Sequence, residues 1–225
     1  ALKMHGGLER NELKKENLEA LKKGMVNLKR HIENVKKFGL EPIVALNHFV
    51  LDTKREIKEV LEFCEDQNVE ASVSTHWSNG GSGAKDLAKK VIKICKKNKI
   101  NKFKYLYSEK LSLWNKIEVI AKEIYRAHNI TASDEVKKNL KYFEKNGYGN
   151  LPVCVAKTQY SFSVDPKLKG APTGHDIPIR EVRLSSGAKF IVVVCGSIMT
   201  MPGLPRIPAA NNIKLNKNGE TEGLF

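Results

Sequence analysis

Early in the chain, apolar residues recur every three to four positions. Further along, stretches with this helical spacing alternate with short runs of consecutive apolar residues. Over residues 11–38 their spacing is near 3.6, which predicts one long amphipathic helix that ends at Gly39. Residues 42–47 and 70–74 are typical of strands, and the first of these is expected to be covered on both faces.

Helical periodicity returns between and after these two strands. Residues 53–67 predict a helix capped by Asp52 or Thr53, and residues 80–99 predict a further helix. This alternation of strand and helix indicates βαβ units and a parallel sheet. The first seven residues are expected to be the end of a buried strand, which would make the chain a fragment of a larger protein.

The composition changes to a Lys- and Asn-rich link over residues 96–104, and a different pattern follows. Helices are predicted at 112–127 and 133–146, strands at 153–156, 177–184 and 190–195, and a proline-rich loop at 201–208. The predicted fold is therefore α/β. A Rossmann-like or P-loop-NTPase-like parallel sheet occupies residues 1–104, and an α+β C-terminal domain occupies residues 105–225.

The composition is that of a folded, water-soluble protein. Of 225 residues, 41% are hydrophobic and 28% charged, and the longest apolar run, Phe190–Cys195, is far too short to span a bilayer. The first residues show no secretion signal. The four cysteines, which are Cys64, Cys95, Cys154 and Cys195, are far apart and are expected to be buried free thiols in a reducing cytoplasm.

A net charge of +14 favours anionic partners. The lysines are spread over helix surfaces without the interleaved aromatic residues of single-strand binders, so no nucleic-acid partner is expected. A nucleotide or a small molecule with a glutamate tail would be attracted by the same field.

Two aromatic residues directly follow the two predicted strands of the first half. Phe49 comes after residues 42–47, and Trp77 comes after residues 70–74. Loops at the carboxyl ends of parallel strands form the ligand crevice of an open sheet, so the two rings could sandwich a flat heteroaromatic group. The alternative is that both rings fill the core.

Other polar motifs have weaker signals. Gly80, Gly81 and Gly83 precede a helix and either cradle an anion with their amides or permit close packing. His76 and His5 are either pocket residues or ordinary loop histidines, and no histidine pair has metal-ligand spacing. No chemical step can be assigned to the polar segments 157–161 and 180–183. A buried salt bridge or a contact between domains is the simpler interpretation of both.

Three segments resemble the formate–tetrahydrofolate ligase family: ALKMHGG at the start, THWSNGGSGA in the middle, and the Gly- and Pro-rich residues 145–225. Asn47-His-Phe49 and Trp77 followed by Gly80-Gly81-Ser-Gly83 match family motifs at the same spacing. The resemblance implies that Phe49 and Trp77 hold the pterin ring of tetrahydrofolate. It also places Val73, where relatives often carry Leu, in the folate pocket.

The resemblance further implies an enzyme that joins formate to tetrahydrofolate with ATP and Mg²⁺, through formyl phosphate, with a monovalent cation as an additional ligand. The Gly-x-Gly-Lys-Thr/Ser loop that binds the nucleotide in this family does not occur in the sequence. The chain is therefore expected to be a C-terminal piece that is inactive unaided. Its catalytic residues would lie in a missing N-terminal half, and the complete protein would be a homo-oligomer. A stand-alone folate- or pterin-binding module is the alternative, and a basic nucleic-acid binder is a weaker third hypothesis.

Overall fold

The computed structural model describes residues 1–97, 102–198 and 206–223. The elements of the first half are α1 (Leu2–His5), α2 (Leu18–Lys37), β1 (Ile43–Asn47), α3 (Lys54–Asp66), β2 (Glu70–Ser74), α4 (His76–Asn79) and α5 (Lys85–Lys97). Single 3-10 turns lie at Arg10–Glu12 and Gly80–Ala84.

The two strands β1 and β2 are parallel and pair in register, from Ile43 opposite Glu70 to Asn47 opposite Ser74. Helix α3 joins them, so the three elements form the predicted βαβ unit. Thr53 caps α3: its side chain accepts a hydrogen bond from the Glu56 amide, and the Glu56 carboxylate accepts one from the Thr53 amide. The first core cluster, Leu21, Met25, Val60 and Cys64, fills the space between α2 and this unit.

Four predictions for the first half are wrong in detail. Helix α5 begins at Lys85 and not at residue 80, because Gly80–Ala84 forms a 3-10 turn. Helix α2 begins at Leu18 and not at residue 11, because the Asn17 side chain caps it by accepting a hydrogen bond of 2.8 Å from the Ala20 amide. The first residues form the short helix α1 and not a strand. Strand β1 is not covered on both faces in the described structure, since Ala45 and Asn47 are exposed.

A four-stranded mixed sheet organises the second half, in the order β3-β5-β6-β4. Strands β5 and β6 are antiparallel, whereas β3–β5 and β4–β6 are parallel pairs. Leu113, Ile117, Ile177, Ile191 and Val193 belong to the second core cluster, which lies between this sheet and its helices. The elements are α6 (Leu113–Glu123), β3 (Asn129–Ala132), α7 (Asp134–Phe143), β4 (Val153–Ala156), β5 (Asp176–Ser185), β6 (Phe190–Cys195), β7 (Lys214–Leu215) and β8 (Thr221–Glu222). The fold is therefore α/β, with a parallel and a mixed sheet.

The predicted helices and strands of the second half are present, with β4 and β6 at the predicted bounds. The sequence reading missed β3 and the small antiparallel pair β7–β8. Residues 98–101 of the Lys- and Asn-rich link and residues 201–205 of the proline-rich loop lie outside the described residues. The division of the chain near residue 104 stays a prediction.

Helix α2 connects the two halves through two buried amides. The Asn27 side chain donates a hydrogen bond of 2.7 Å to the Gly170 carbonyl, and the Asn34 side chain donates one of 3.0 Å to the Ile124 carbonyl. Both carbonyls belong to the second half of the chain. The long helix thus packs on the first core cluster and also fixes its own position against the second half.

All four cysteines are free thiols, as predicted, but only Cys64 and Cys195 are buried. Cys95 and Cys154 are exposed, which corrects the expectation that all four would be enclosed. Across the described ranges, no helix combines the length and the apolar character that crossing a lipid bilayer requires.

Candidate functional site

Phe49 and Trp77, called the stacking pair after their predicted role, lie on the loops that leave the carboxyl ends of β1 and β2. The last register partners of the two strands are Asn47 and Ser74, and the His48 amide extends the pairing by donating a hydrogen bond of 2.9 Å to the Ser74 carbonyl. Phe49 is 53% exposed and Trp77 is 73% exposed. Within the described structure, neither ring fills a core.

A tight turn fixes the backbone beside Phe49. The Phe49 amide donates a hydrogen bond of 2.8 Å to the Asp52 carboxylate, and the Asp52 amide donates one of 2.9 Å to the Phe49 carbonyl. Asp52 therefore does not cap α3 but closes the turn that precedes Thr53. Val50 and Leu51, at the tip of this turn, are exposed as well. The turn presents three consecutive apolar side chains to the solvent.

Trp77 lies in the single helical turn α4, which the sequence reading did not predict. The Thr75 amide before it donates a hydrogen bond of 3.1 Å to the Gly83 carbonyl, so the 3-10 turn before α5 folds back on the start of α4. Just before Trp77, the His76 ring nitrogen Nδ1 lies 2.8 Å from the Ser74 hydroxyl. Ser74 is buried and His76 is exposed, so this hydrogen bond ties the Trp77 turn to the end of β2.

The three glycines of the loop after Trp77 differ in whether their positions need a glycine. A methyl group on Gly83 would lie 2.4 Å from the carbonyl carbon of Thr75 and 2.6 Å from the His76 nitrogen, so this position needs glycine for close packing. Gly80 has a φ of +55°, where glycine is favoured. Gly81 faces open space. The packing interpretation accounts for Gly83, and anion binding by the loop stays a prediction.

A cleft of about 500 Å³, the Phe49 cleft, opens beside β1. Asn47 and Phe49 line it together with apolar residues of α2, β1 and α3, including Leu21, Leu28 and Val60. Val73, His76, Trp77 and the three loop glycines are not among its lining residues. The structure therefore places Trp77 on the neighbouring loop, outside the Phe49 cleft.

Comparison with known proteins identifies the family. The sequence model described as formate–tetrahydrofolate ligase matches residues 1–225. The chain belongs to this family. A formate–tetrahydrofolate ligase of Pelagibacter ubique is 63% identical over 225 residues, which is all of this chain and 40% of that relative. Those of Ruegeria pomeroyi and Granulibacter bethesdensis are 55% and 52% identical, again over the whole chain and over 40% and 39% of their own lengths. The chain thus spans at most 40% of the length of these curated relatives.

The sequence reading missed the charged residues of the Phe49 cleft in this ligase-family chain: Lys3, Asp52 and Glu56. Glu56 is buried, and its carboxylate accepts hydrogen bonds from the Asn17 amide at 3.0 Å and the Thr53 amide at 3.2 Å. Burial opposes its ionisation, but these bonds and the Lys3 ammonium hold the pKa of Glu56 below its ordinary value. The spacing Thr53-x-x-Glu56 was a visible signal for the cap, whereas nothing local in the sequence indicates the partner Lys3.

Proposed function

We propose that this chain is the folate-binding segment of an ATP-dependent formate–tetrahydrofolate ligase. The complete enzyme would form 10-formyltetrahydrofolate from formate and tetrahydrofolate by way of formyl phosphate. Family membership supports the reaction class. The observation that carries the role of this segment is the placement of two exposed aromatic side chains on adjacent loops at the ends of two paired parallel strands.

The stacking pair would bind the pterin ring between its two side chains. Neighbouring strands lie roughly 4.8 Å apart, so the two loops start side by side, and the proposal places one flat ring between Phe49 and Trp77. Each stacking contact contributes about 0.5–1.5 kcal/mol beyond the burial of apolar area. Val73, half-buried on β2 just before the Trp77 turn, would line the pocket beside the ring.

The proposal assigns the nucleotide and Mg²⁺ to the N-terminal part of the complete ligase. Within the described residues, no group of three or more His, Cys, Asp or Glu side chains could hold a metal ion. ATP and Mg²⁺, where they bind, supply the activation of formate as a mixed anhydride. The residues of this chain would hold the folate acceptor and shield it from water.

Three finer points belong to the same proposal. The βαβ unit would be the end of a Rossmann-like or P-loop-NTPase-like nucleotide domain, followed by a separate C-terminal domain. The free thiols agree with a reducing compartment, so we place the reaction in the cytoplasm. The N-terminal part of the ligase would be the partner of this segment, and the complete enzyme would assemble as a homo-oligomer.

Calorimetric titration of the chain with tetrahydrofolate tests the stacking role. Phe49→Ala and Trp77→Ala are each expected to weaken binding by roughly ten-fold, since each removes one ring contact and the area that it buries. Tyr142→Ala is the matched control, because Tyr142 is an equally exposed aromatic side chain on α7, in the second half. Unchanged affinity in Trp77→Ala would remove the stacking role.

A complementation assay separates the ligase segment from a stand-alone folate-binding module. The remaining N-terminal polypeptide of a close relative is mixed with this chain, and ATP-dependent formation of 10-formyltetrahydrofolate is measured. A ligase segment restores turnover, and Trp77→Ala reduces it. A binding module would take up tetrahydrofolate and leave turnover at zero.

A further inference from the structure

A second cleft of about 250 Å³, the Lys157 cleft, lies where α1 and α2 meet the loop after β4. His5, His31 and Lys157 line it together with Tyr125, Thr158 and Gln159. It shares no lining residue with the Phe49 cleft. Among the described residues that line it, none is acidic, so every titratable side chain except the Tyr125 phenol can carry a positive charge.

The Lys157 ammonium is fixed in place by its own loop. Its Nζ atom donates hydrogen bonds to the carbonyls of Thr158 and Ser163, each at 3.0 Å, and to the carbonyl of Ser161. It also lies 4.9 Å from the centre of the Tyr125 ring, within cation–π distance. All three of its protons are engaged, so Lys157 contributes charge to the cleft but has no free hydrogen-bond donor.

Free donors come from the surrounding rings. The His5 Nδ1 atom accepts a hydrogen bond of 3.2 Å from the Gly170 amide, so the neutral ring carries its proton on Nε2. In the described part of the chain, neither the His31 ring nitrogens nor the Tyr125 hydroxyl has a hydrogen-bond partner. Burial raises the pKa of Tyr125 to about 12, which keeps the phenol protonated and able to donate.

The local field around these donors is positive. Burial lowers the pKa of both histidines. The charges of Lys169 and His31 lower the pKa of His5 further, and the charge of Lys157 lowers that of His31. Arg30 adds a guanidinium 5.5 Å from the centre of the Phe162 ring, which packs against His31 with 4.6 Å between ring centroids. Glu33, the acidic partner of Arg30, lies 4.0 Å from it, and neither of these two residues lines the cleft.

We propose that the Lys157 cleft binds a small oxyanion, either a carboxylate or a phosphate group, through the Tyr125 hydroxyl and the N–H groups of His5 and His31. Lys157, whose pKa burial lowers to about 8, supplies compensating positive charge below that pH. Thr158, whose hydroxyl oxygen accepts from the Tyr160 amide at 3.3 Å, keeps its own proton free for the same ligand. This site is separate from the stacking pair and does not rest on the proposed function.

Histidine resonances in NMR spectra provide the direct test. The chain is titrated at constant ionic strength with sodium formate, inorganic phosphate and L-glutamate in separate experiments. Saturable shifts of the His5 and His31 signals, with dissociation constants below roughly 10 mM, are expected for at least one of these anions. Comparison of the dissociation constants of formate and phosphate shows which kind of oxyanion the cleft prefers. Comparison of the dissociation constants of glutamate and formate shows whether the cleft accepts a carboxylate that is part of a larger molecule.

Conservative variants make the test specific. Tyr125→Phe removes one hydrogen bond to a charged ligand and keeps the ring beside Lys157, so affinity is expected to fall roughly ten-fold. His31→Gln is the second variant, and it is also expected to lower the affinity for the anion. Tyr142→Phe is the matched control and keeps full affinity. Far-UV circular dichroism verifies that each variant is folded.

Formate binding is also expected to tighten as the pH falls from 8 to 6. Protonation of Lys157, whose pKa burial lowers to about 8, and of His5 and His31 adds positive charge to the cleft over this range. The formate charge is constant over this range. The proposal is overturned if none of the three anions shifts the histidine signals saturably. It is also overturned if Tyr125→Phe and His31→Gln both bind with unchanged affinity.

Discussion

The ammonium nitrogen of Lys3 lies 2.9 Å from a carboxylate oxygen of Glu56 and thereby joins α1 to the first turn of α3. The side chains of both residues are almost fully buried. Removal of one partner of a buried pair leaves the other charge without compensation, so we expect Glu56→Gln to lower the free energy of unfolding by about 3 kcal/mol. Urea denaturation measures the difference.

The control for this change is Glu62→Gln. Glu62 pairs with Lys58 at 3.5 Å on an exposed face of α3, where an ion pair contributes at most about 1 kcal/mol. Equal effects of the two substitutions would contradict the structural role of Glu56.

Acid is expected to weaken the fold partly through Glu56. Because its pKa in the folded protein lies below the ordinary value of 4.5, its stabilising contribution is fully present above that value. The contribution is lost as the pH falls through the lower, folded-state pKa. The stability difference between the wild type and Glu56→Gln should therefore shrink below a pH of about 4.5. A difference that stays constant from pH 7 to the acid limit of folding would argue against this assignment.

Gly83 and Gly81 provide a matched pair of alanine substitutions in one loop. The new methyl group in Gly83→Ala would collide with the backbone of Thr75 and His76, so the Trp77 turn must shift. We expect a loss of about 1–3 kcal/mol of stability, together with weaker folate binding. Gly81→Ala meets open space and should change stability by less than about 0.5 kcal/mol. Thermal unfolding measured on both variants distinguishes a packing glycine from a tolerant one.

The thiols are expected to react in two classes. Burial raises the pKa of Cys195 to about 12 and also raises the pKa of Cys64, so neither forms a reactive thiolate near neutral pH in the folded chain. Cys95 and Cys154 are exposed. Titration with a chromogenic disulfide at pH 8 should therefore modify two thiols quickly, and all four only in denaturant. Rapid modification of all four in the native protein would show that the two cores open readily.

The position of Phe49 and Trp77 was predictable because its signal is local. Each aromatic residue follows a strand-like run, and the structure pairs those two strands in parallel and in register, so both residues come after the carboxyl end of a strand at the same edge of the sheet. Their stacking role stays a prediction. Strands β4 and β6 were equally predictable because each is an apolar run with clear ends, and β2 because polar and apolar residues alternate along it. In these cases the local pattern and the tertiary environment favour the same structure.

Helix α1 was not predictable because its stability comes from a distant partner. Four residues are too short for a periodic pattern, and Gly6 and Gly7 follow directly. The helix packs against α2 at Gly24, where a side chain would lie 1.9 Å from the Leu2 carbonyl oxygen. The Lys3–Glu56 pair has the same origin, since its members are far apart in the sequence. Both features depend on contacts that a single sequence does not display.

Helix α2 has a mechanical consequence for the two clefts that flank it. Its buried amides, Asn27 and Asn34, are two helical turns apart and bind separate carbonyls of the second half. Sliding α2 along its axis would break both hydrogen bonds at once and leave buried polar groups unpaired, at a cost of about 1–3 kcal/mol for each. Any movement of the second half relative to α2 should therefore be a rotation that pivots at these two anchors. Such a rotation would reshape the Lys157 cleft, which residues of both halves line, and would leave the Phe49 cleft, which lies within the first half, unchanged.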